Sequence, residues 1–519
     1  MAKPKIAVFS GPNSTIANSP TLVTSSKARL PGERELAGRR DHLVPQLLYE
    51  PVTVRIRKHT AHPLEDDAKA LYQDDGQDFY QVELRPEDGP YPLPYMARRS
   101  DGSEAGVPFE DSDLYDAATS FGGRQFFFPD ASRIFDDIDR TIGGRAESGE
   151  GSPLDRLADY DFVRALPPGG YSQQGERLGL DYFPYKPFPL GRTPSMGKLA
   201  QVTNVVRRTL ATGDYAGCIW LEGSPTIEET IYWLGLLIGT DLPIAGCAAQ
   251  RPHGELANDG DRNIVDAVHY ILSGKGHGLG AVGVQDQQLF AAREFKKGDA
   301  RPGGYKAVGG HGGILGTIGP PVTVWYAPTY RRGATSEVRI DALPSAVDGV
   351  MIKDHKGDLL PSAIPRVRIV KYGAYMAEGA DADPDREVDI LAWIQRGKDE
   401  QQSADPESPK LHGFVMEGLA PYGSGSESQM AALSIAVLSG MPVVQVGRSD
   451  PGGRVPQRGG GLLLEGTNLD ANKARMLLMA ALLKLGQLPK ARDPRNPTPE
   501  ERQATIAKVA LFQEIFESH

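Results

Sequence analysis

Between residues 215 and 285 the chain alternates two patterns, and this alternation constrains its fold more than any other feature. "GCIWLEG" is an apolar run that stops at Gly223, and "TIEETIYWLGLLIG" is a helical run. "LPIAGCAA" is a second apolar run. "NDGDRNIVDAVHYILSG" sets Ile264, Val265, Val268, Ile271 and Leu272 on one stripe and stops at Gly274, and "GLGAVGVQD" is a third apolar run. Strands spaced by helices of this length predict parallel βαβ units, hence an α/β sheet covered on both faces. Thr226-Ile227-Glu228-Glu229 has the spacing of a capping box, in which Thr226 and Glu229 satisfy free N–H groups at the helix start. That assigns "TIEET" to structure and leaves any chemistry to the residues just before it.

A second α/β unit follows the same logic. "RVRIVKYG" and "LHGFVMEG" read as strands, "ESQMAALSIAVLSG" as a helix, and "MPVVQVGR" as a strand. "GLLLEGTNLDANKARMLLMAALLKLG" reads as a strand, a loop and a helix capped by Asp470 or Asn472. After Pro489 the chain is expected to end in a short helix. The polar stretch 320–364 reads as an inter-domain connection. Residues 50–190 break the alternation: they are rich in Pro, Gly, Asp and aromatics, as in "GGRQFFFPDASRIFDDIDR", too aromatic for a disordered linker. The expected organisation is a larger N-terminal α/β domain over 1–319 with a loop-rich insertion at about 50–190, the connection 320–364, and a smaller C-terminal α/β domain over 365–519.

Composition removes several classes of function. The 519 residues are 40% hydrophobic and 24% charged, as in globular proteins, with a net charge of −10 and no dense Lys/Arg block, which argues against a nucleic-acid surface. No apolar run reaches membrane-spanning length, and "MAKPKIAVFSGPNS" is too quickly broken for a signal peptide. The two cysteines, Cys218 and Cys247, lie in apolar strand-like runs and are expected to be buried free thiols. The ten histidines have no metal-ligand spacing. The expectation is a cytoplasmic protein with no metal, no cofactor, no nucleic-acid partner and no membrane partner.

One turn stands out chemically. In "KIAVFSGPNSTIANSP" the apolar strand-like run stops at Gly11-Pro12, and two hydroxyls, Ser14 and Thr15, follow. Ser, Thr, Asn and Gly are ordinary turn residues. In order along the chain, however, "PNSTIA", "EGSPTIEET", "GCAAQRPHGELANDGDRN", "AAREFKK", "YKAVGGHGGILGTIG" and "GTNLDANKARMLL" resemble the motifs of the L-asparaginase/glutaminase family, the bacterial amidohydrolases with a nucleophilic threonine. The resemblance covers roughly residues 1–50 and 186–490. It implies the family's two-domain α/β fold, with Thr15 as nucleophile and Ser224 and Lys297 as the proton relay. It further implies that Ser14, Asp259 and either Thr193 or Ser195 line the substrate site, and that Ser424, in "GLAPYGSGSES", is contributed by a second subunit. A homo-oligomer, a dimer of dimers, follows from that sharing. Read from the residues alone, Asp259 is equally a helix N-terminal residue, and Lys296 is the equal of Lys297.

Departures from the family pattern bear on the substrate. Pro225 stands where the family has the aspartate that holds the substrate's α-ammonium, and a proline cannot accept that salt bridge. "NSPTLVTSSKARLPG" has no tyrosine to support the nucleophile; Thr24, Ser25 or a tyrosine of the insertion are the candidates. An alcohol needs a base within reach to attack a carbonyl, and a partly desolvated lysine acting through a serine can provide one. The expected activity is cleavage of an amide, or a cyclic amide or imide, through a threonine acyl-enzyme, on a small molecule other than free asparagine. The alternatives are a true asparaginase or glutaminase with a relocated amino-group anchor, or a silent binding protein on the same fold.

Overall fold

The computed structural model describes residues 5–10, 43–46, 52–57, 79–84, 91–94, 161–164, 196–223, 226–250, 259–309, 311–319, 321–372, 381–420, 422–448 and 461–519. Most of the 50–190 segment lies outside the described residues.

The first sheet has eight strands. β1 (Lys5–Ser10), β6 (Asp161–Arg164), β7 (Tyr215–Leu221), β8 (Ile244–Cys247) and β9 (Ala281–Gln285) run parallel. β10 (Gln288–Ala291), β13 (Ile314–Thr317) and β14 (Thr323–Val324) are added antiparallel at one edge. Across the sheet the order is β14-β13-β10-β9-β8-β7-β1-β6. Two ribbons, β2 (Leu43–Gln46) with β5 (Tyr91–Pro94) and β3 (Val52–Arg57) with β4 (Phe79–Leu84), lie apart from it. The segment 50–190, read as an insertion, thus contributes β6 to the main sheet.

Both faces of the sheet are covered, as the alternation requires. On one face α3 (Gly260–Leu272) buries Ile264, Val265, Val268 and Ile271 against Ile219, Leu221, Ala245 and Cys247; Leu272 is half-buried. On the other, α1 (Lys198–Leu210) and α2 (Ile227–Leu237) pack on Ala7, Phe9, Cys218 and Trp220. The two cysteines therefore sit in the cores of opposite faces as buried free thiols. Every residue of α2 except Glu229 is buried, because this helix is held between the sheet and a helix of the second unit. A side chain at Gly246 would meet Ile231 at 2.4 Å, so the close approach of β8 to α2 needs a glycine there.

The second sheet is parallel throughout, in the order β17 (Arg366–Lys371), β18 (His412–Gly418), β19 (Val443–Gly447) and β20 (Leu464–Glu465). It carries α4 (Val388–Gln402), α5 (Glu427–Leu438) and α6 (Ala471–Leu485). Asp470 caps α6, its carboxylate accepting from the Lys473 amide at 2.9 Å. The final helix, α7 (Pro499–Ser518), runs for 20 residues, not the short helix expected. Thr498 and Glu501 form its capping box and Pro499 starts its first turn.

The stretch 320–364 holds the short ribbon β15 (Ala346–Val347) and β16 (Val350–Met351) and several tight turns. It is clasped to α1 by Asn204, whose amide donates to the Leu359 carbonyl at 2.9 Å and accepts from the Leu359 amide at 2.8 Å.

The capping box at Thr226 does not form. Thr226 already has helical dihedrals and its side chain caps nothing; the Glu229 amide that it would have capped donates to the Thr226 carbonyl at 3.1 Å. The Glu229 carboxylate pairs instead with Arg475 of α6. The acids of this first turn face cations brought by the second unit, beside the positive end of the helix.

Candidate active site at the carboxyl end of the first sheet

The strand order puts a reversal between β1 and β7. The next strand in the sheet after β1 is β6, on one side; the next after β7 is β8, on the other. Loops leaving two such neighbours part, and the crevice between them is where open α/β sheets bind ligands. Ser10 and Leu221, the last residues of the two strands, are partners in register. Thr15 follows the first by five residues and Ser224 follows the second by three. Ser14, Thr15, Ser224 and Pro225 lie outside the described residues, as do Thr193, Ser195, Thr24 and Ser25.

Lys297 ends β11 (Phe295–Lys297), which pairs with β12 (Tyr305–Ala307). Its amide donates to Glu228 Oε2 at 2.8 Å, which seats the hairpin on the first turn of α2, four residues beyond Ser224. Burial of the Glu228 carboxyl pushes its pKa up, opposed by nearby Lys473. The hairpin is held from behind by Phe295, which stacks on Tyr305 with centroids 4.4 Å apart and packs flat against Gly283. The structure separates the two lysines that were equal in sequence. Lys296 reaches Asp470 at 3.2 Å, whereas the half-buried Lys297 makes no ion pair among the described residues. Arg293 is a buried anchor, donating to the His519 carbonyl at 2.9 Å, to Glu294 at 2.9 Å and to Thr467 at 3.1 Å.

Asp259 stands at the start of α3 and makes no side-chain cap there. Both its oxygens accept from the Gln250 amide at 3.0 Å, tying the start of the loop that follows β8 to the helix start. Gln250 also donates to the Asp299 carbonyl at 3.1 Å, so Asp259 and the Lys297 hairpin meet through one glutamine. Beneath them Asn263 donates to Gln285 at 2.7 Å and to the Ala248 carbonyl at 2.9 Å, which fixes the carboxyl ends of β8 and β9 together.

Ser424 is not drawn into this group. It follows β18 in the second sheet, where its carbonyl accepts from the Leu419 amide at 3.0 Å.

Three residues at the site were missed in the sequence. Glu222 ends the run "GCIWLEG" and is 1% exposed. Trp220 Nε1 donates to it at 2.8 Å, yet burial pushes its pKa up to about 8, well above the usual carboxylate range. Glu228 was absorbed into the supposed capping box. Lys473 lies among apolar residues of α6 with Leu477 and Ala480 on the same face, and a lysine on the buried stripe of a helix was the available signal. A cavity of about 770 Å³, lined in part by Asp348, Met351, Gln401, Gln487 and Lys508, contains none of the predicted site residues. Among the described residues no His, Cys, Asp and Glu side chains gather as a metal would need, and no helix is long and apolar enough to cross a membrane.

Residues 193–305, which include β7 to β11, match the family model for the asparaginase N-terminal domain. The chain is 28% identical over 165 residues to a glutaminase-asparaginase of Acinetobacter glutaminasificans, covering 31% of this chain and 48% of that one. It is 32% identical over 114 residues to an L-asparaginase of Bacillus licheniformis, covering 21% of this chain and 35% of that one. To L-asparaginase 2 of Bacillus subtilis it is 24% identical over 289 residues, covering 55% and 66%. The chain thus spans between about a third and two thirds of the length of these relatives. A probable cytoplasmic L-asparaginase structure from Campylobacter jejuni aligns with a TM-score of 0.48 at 19% identity, over 70% of this chain and 93% of that one. The stretch 193–305 is thus similar to the N-terminal part of the asparaginase family, in agreement with the motifs that lie within it.

Proposed function

We propose that the protein is an amidohydrolase of the asparaginase type that cleaves a carbon–nitrogen amide bond through an ester on Thr15. The observation that carries this reading is the seating of Lys297: its hairpin is bonded to the first turn of α2, beside the loop that bears Ser224, at the reversal in strand order. Thr15 Oγ attacks the amide carbonyl carbon while its proton passes through the Ser224 hydroxyl to the amine of Lys297. The C–N bond breaks, ammonia or an amine leaves with that proton, and water hydrolyses the ester. The two sheets then correspond to a larger N-terminal and a smaller C-terminal domain, and a neighbouring copy completes the site with the Ser424 loop.

With Pro225 in place of a carboxylate, the substrate is an amide without a free α-ammonium. The relatives, a glutaminase-asparaginase and an L-asparaginase, favour a second reading, hydrolysis of free asparagine or glutamine with the ammonium held elsewhere. Ammonia release from asparagine, glutamine, N-acylated asparagine and cyclic or aryl amides decides between them. Mass spectrometry of the acid-quenched enzyme tests the ester: an acyl adduct on the peptide holding Thr15 is expected, and an adduct on any other peptide overturns the mechanism.

A further inference from the structure

Lys473 is 1% exposed, on a helix that belongs to the second sheet, yet its ammonium lies in the first unit. Its Nζ donates to the carbonyl of Glu228 and, at 2.7 Å, to the carbonyl of Ala292. It stands 5.3 Å from the centroid of the Tyr232 ring. The acids facing it are Asp470, Glu228, Glu294 and Glu229. A lysine this deeply buried persists only where its charge and its donors are both answered, and here they are answered by two particular stretches of backbone.

Those stretches are the two that meet at Lys297. Glu228 receives the Lys297 amide on its side chain while Lys473 holds its carbonyl. Ala292 opens "AREFKK", the run that leaves β10 and delivers Lys297. One nitrogen therefore grips the start of α2 and the exit of β10, and Lys297 hangs between them. We propose that Lys473 is a positioning residue for Lys297: a helix of the second sheet sets the place of the reactive lysine in the first. This rests on reading Lys297 as the base. The grip needs two N–H donors aimed at two carbonyls. A neutral amine has two, so the grip does not depend on the ionisation of Lys473.

The test replaces Lys473 by Met, which keeps the stem and removes the donors. Hydrogen exchange of the Lys297 amide reports the position without any assay of activity. In Lys473→Met that amide is expected to exchange at least about tenfold faster. Turnover is expected to fall about tenfold or more, with KM within about threefold. In the double variant with Lys297→Met, the second change should add nothing to the first, since both act on one group. Wild-type exchange at Lys297 in folded Lys473→Met, or losses that multiply in the double variant, would overturn the proposal. If Lys473→Met does not fold, Lys473→Arg carries the same measurement. The guanidinium is planar and bulkier than the ammonium and displaces the carbonyls it meets in this buried site, so faster exchange at Lys297 with the rest of α6 unchanged is expected, and unchanged exchange at Lys297 overturns the proposal. Turnover that survives Lys297→Met breaks the reading of Lys297 as the base. The positioning role is then still judged by the exchange measurement alone.

Discussion

The two sheets differ at the carboxyl ends of their parallel strands. In the second sheet the spatial order β17-β18-β19-β20 follows the chain, so each connection moves one place in the same direction and neighbouring loops do not part. The loop after β18 closes on itself instead: Gly423 donates to the Leu419 carbonyl at 2.7 Å and Leu419 donates to the Ser424 carbonyl at 3.0 Å. In the first sheet the order reverses at β1 and β7, and the loops that bear Thr15 and Ser224 leave from that place. The two sheets thus contribute differently: the first carries the reversal in strand order, and the second carries α6, whose Lys473 reaches the start of α2 and the exit of β10. What separates them is the point at which the strand order turns back.

The sharpest way to break this contrast is to remove one hydroxyl from each loop. Thr15→Ala is expected to lower turnover by about 10⁴-fold or more, since an activated nucleophile has no substitute. Ser424→Ala should raise KM a few-fold and leave turnover within about threefold if, as proposed, the second sheet contributes contacts with substrate and no chemistry. Steady-state kinetics of both variants decide. Equal losses in turnover would show that the second sheet takes part in the reaction.

A smaller difference is expected between two adjacent lysines. Lys297→Met removes the proposed base and should cost about 10²–10⁴-fold in turnover. Lys296→Met removes a partly exposed pair with Asp470, worth about 0–1 kcal/mol of stability, and should leave turnover nearly unchanged. Reversed sensitivities would show that the chemistry faces the other side of the β11 ribbon.

Substrate choice comes next in size. A carboxylate gripping an ammonium contributes roughly 1.5–3 kcal/mol, so its absence at Pro225 should cost free asparagine about a hundredfold in kcat/KM against an N-acylated analogue. Pro225→Asp should narrow that gap. Efficient turnover of asparagine by the unaltered protein, with the analogue inert, would establish the asparaginase reading.

The sequence showed some parts of this molecule far better than others. The βαβ units were legible because apolar runs and helical stripes are local, and the glycine stops marked their ends. Between Lys296 and Lys297 the residues themselves offered no choice, since "REFKK" holds two equal lysines. Which one is paired depends on Asp470, far along the chain. The capping box at Thr226 misled for the same reason. Its spacing is local, whereas the partner that takes Glu229, Arg475, is 246 residues away. The place of β6 beside β1 is likewise a pairing between distant segments, and no periodicity announces it.

The last expected effect concerns Glu222, at the end of β7. Its carboxyl has an ordinary value of 4.5, raised in the folded protein to about 8 by burial. Between those values the folded chain binds a proton that the unfolded chain has released, so stability falls as pH rises through this window. The slope is at most about 1.4 kcal/mol per pH unit. Lys473 works in the opposite sense and in a different window: its value is lowered from 10.5 to about 8, so stability rises with pH between them. Asp266, Asp286 and Glu228 are raised as well and add slope of the same sign as Glu222, which makes the wild-type curve alone ambiguous. Glu222→Gln resolves it, because the amide oxygen still accepts from Trp220 and no longer titrates. Urea unfolding of both proteins at pH 5, 6.5 and 8 should give free energies that converge at the lowest pH and separate progressively toward pH 8, with the Gln variant the more stable there. Parallel curves would mean that the end of β7 is wet enough to hold an ordinary glutamate. The crevice would then begin one residue deeper in the strand than the burial of Glu222 implies.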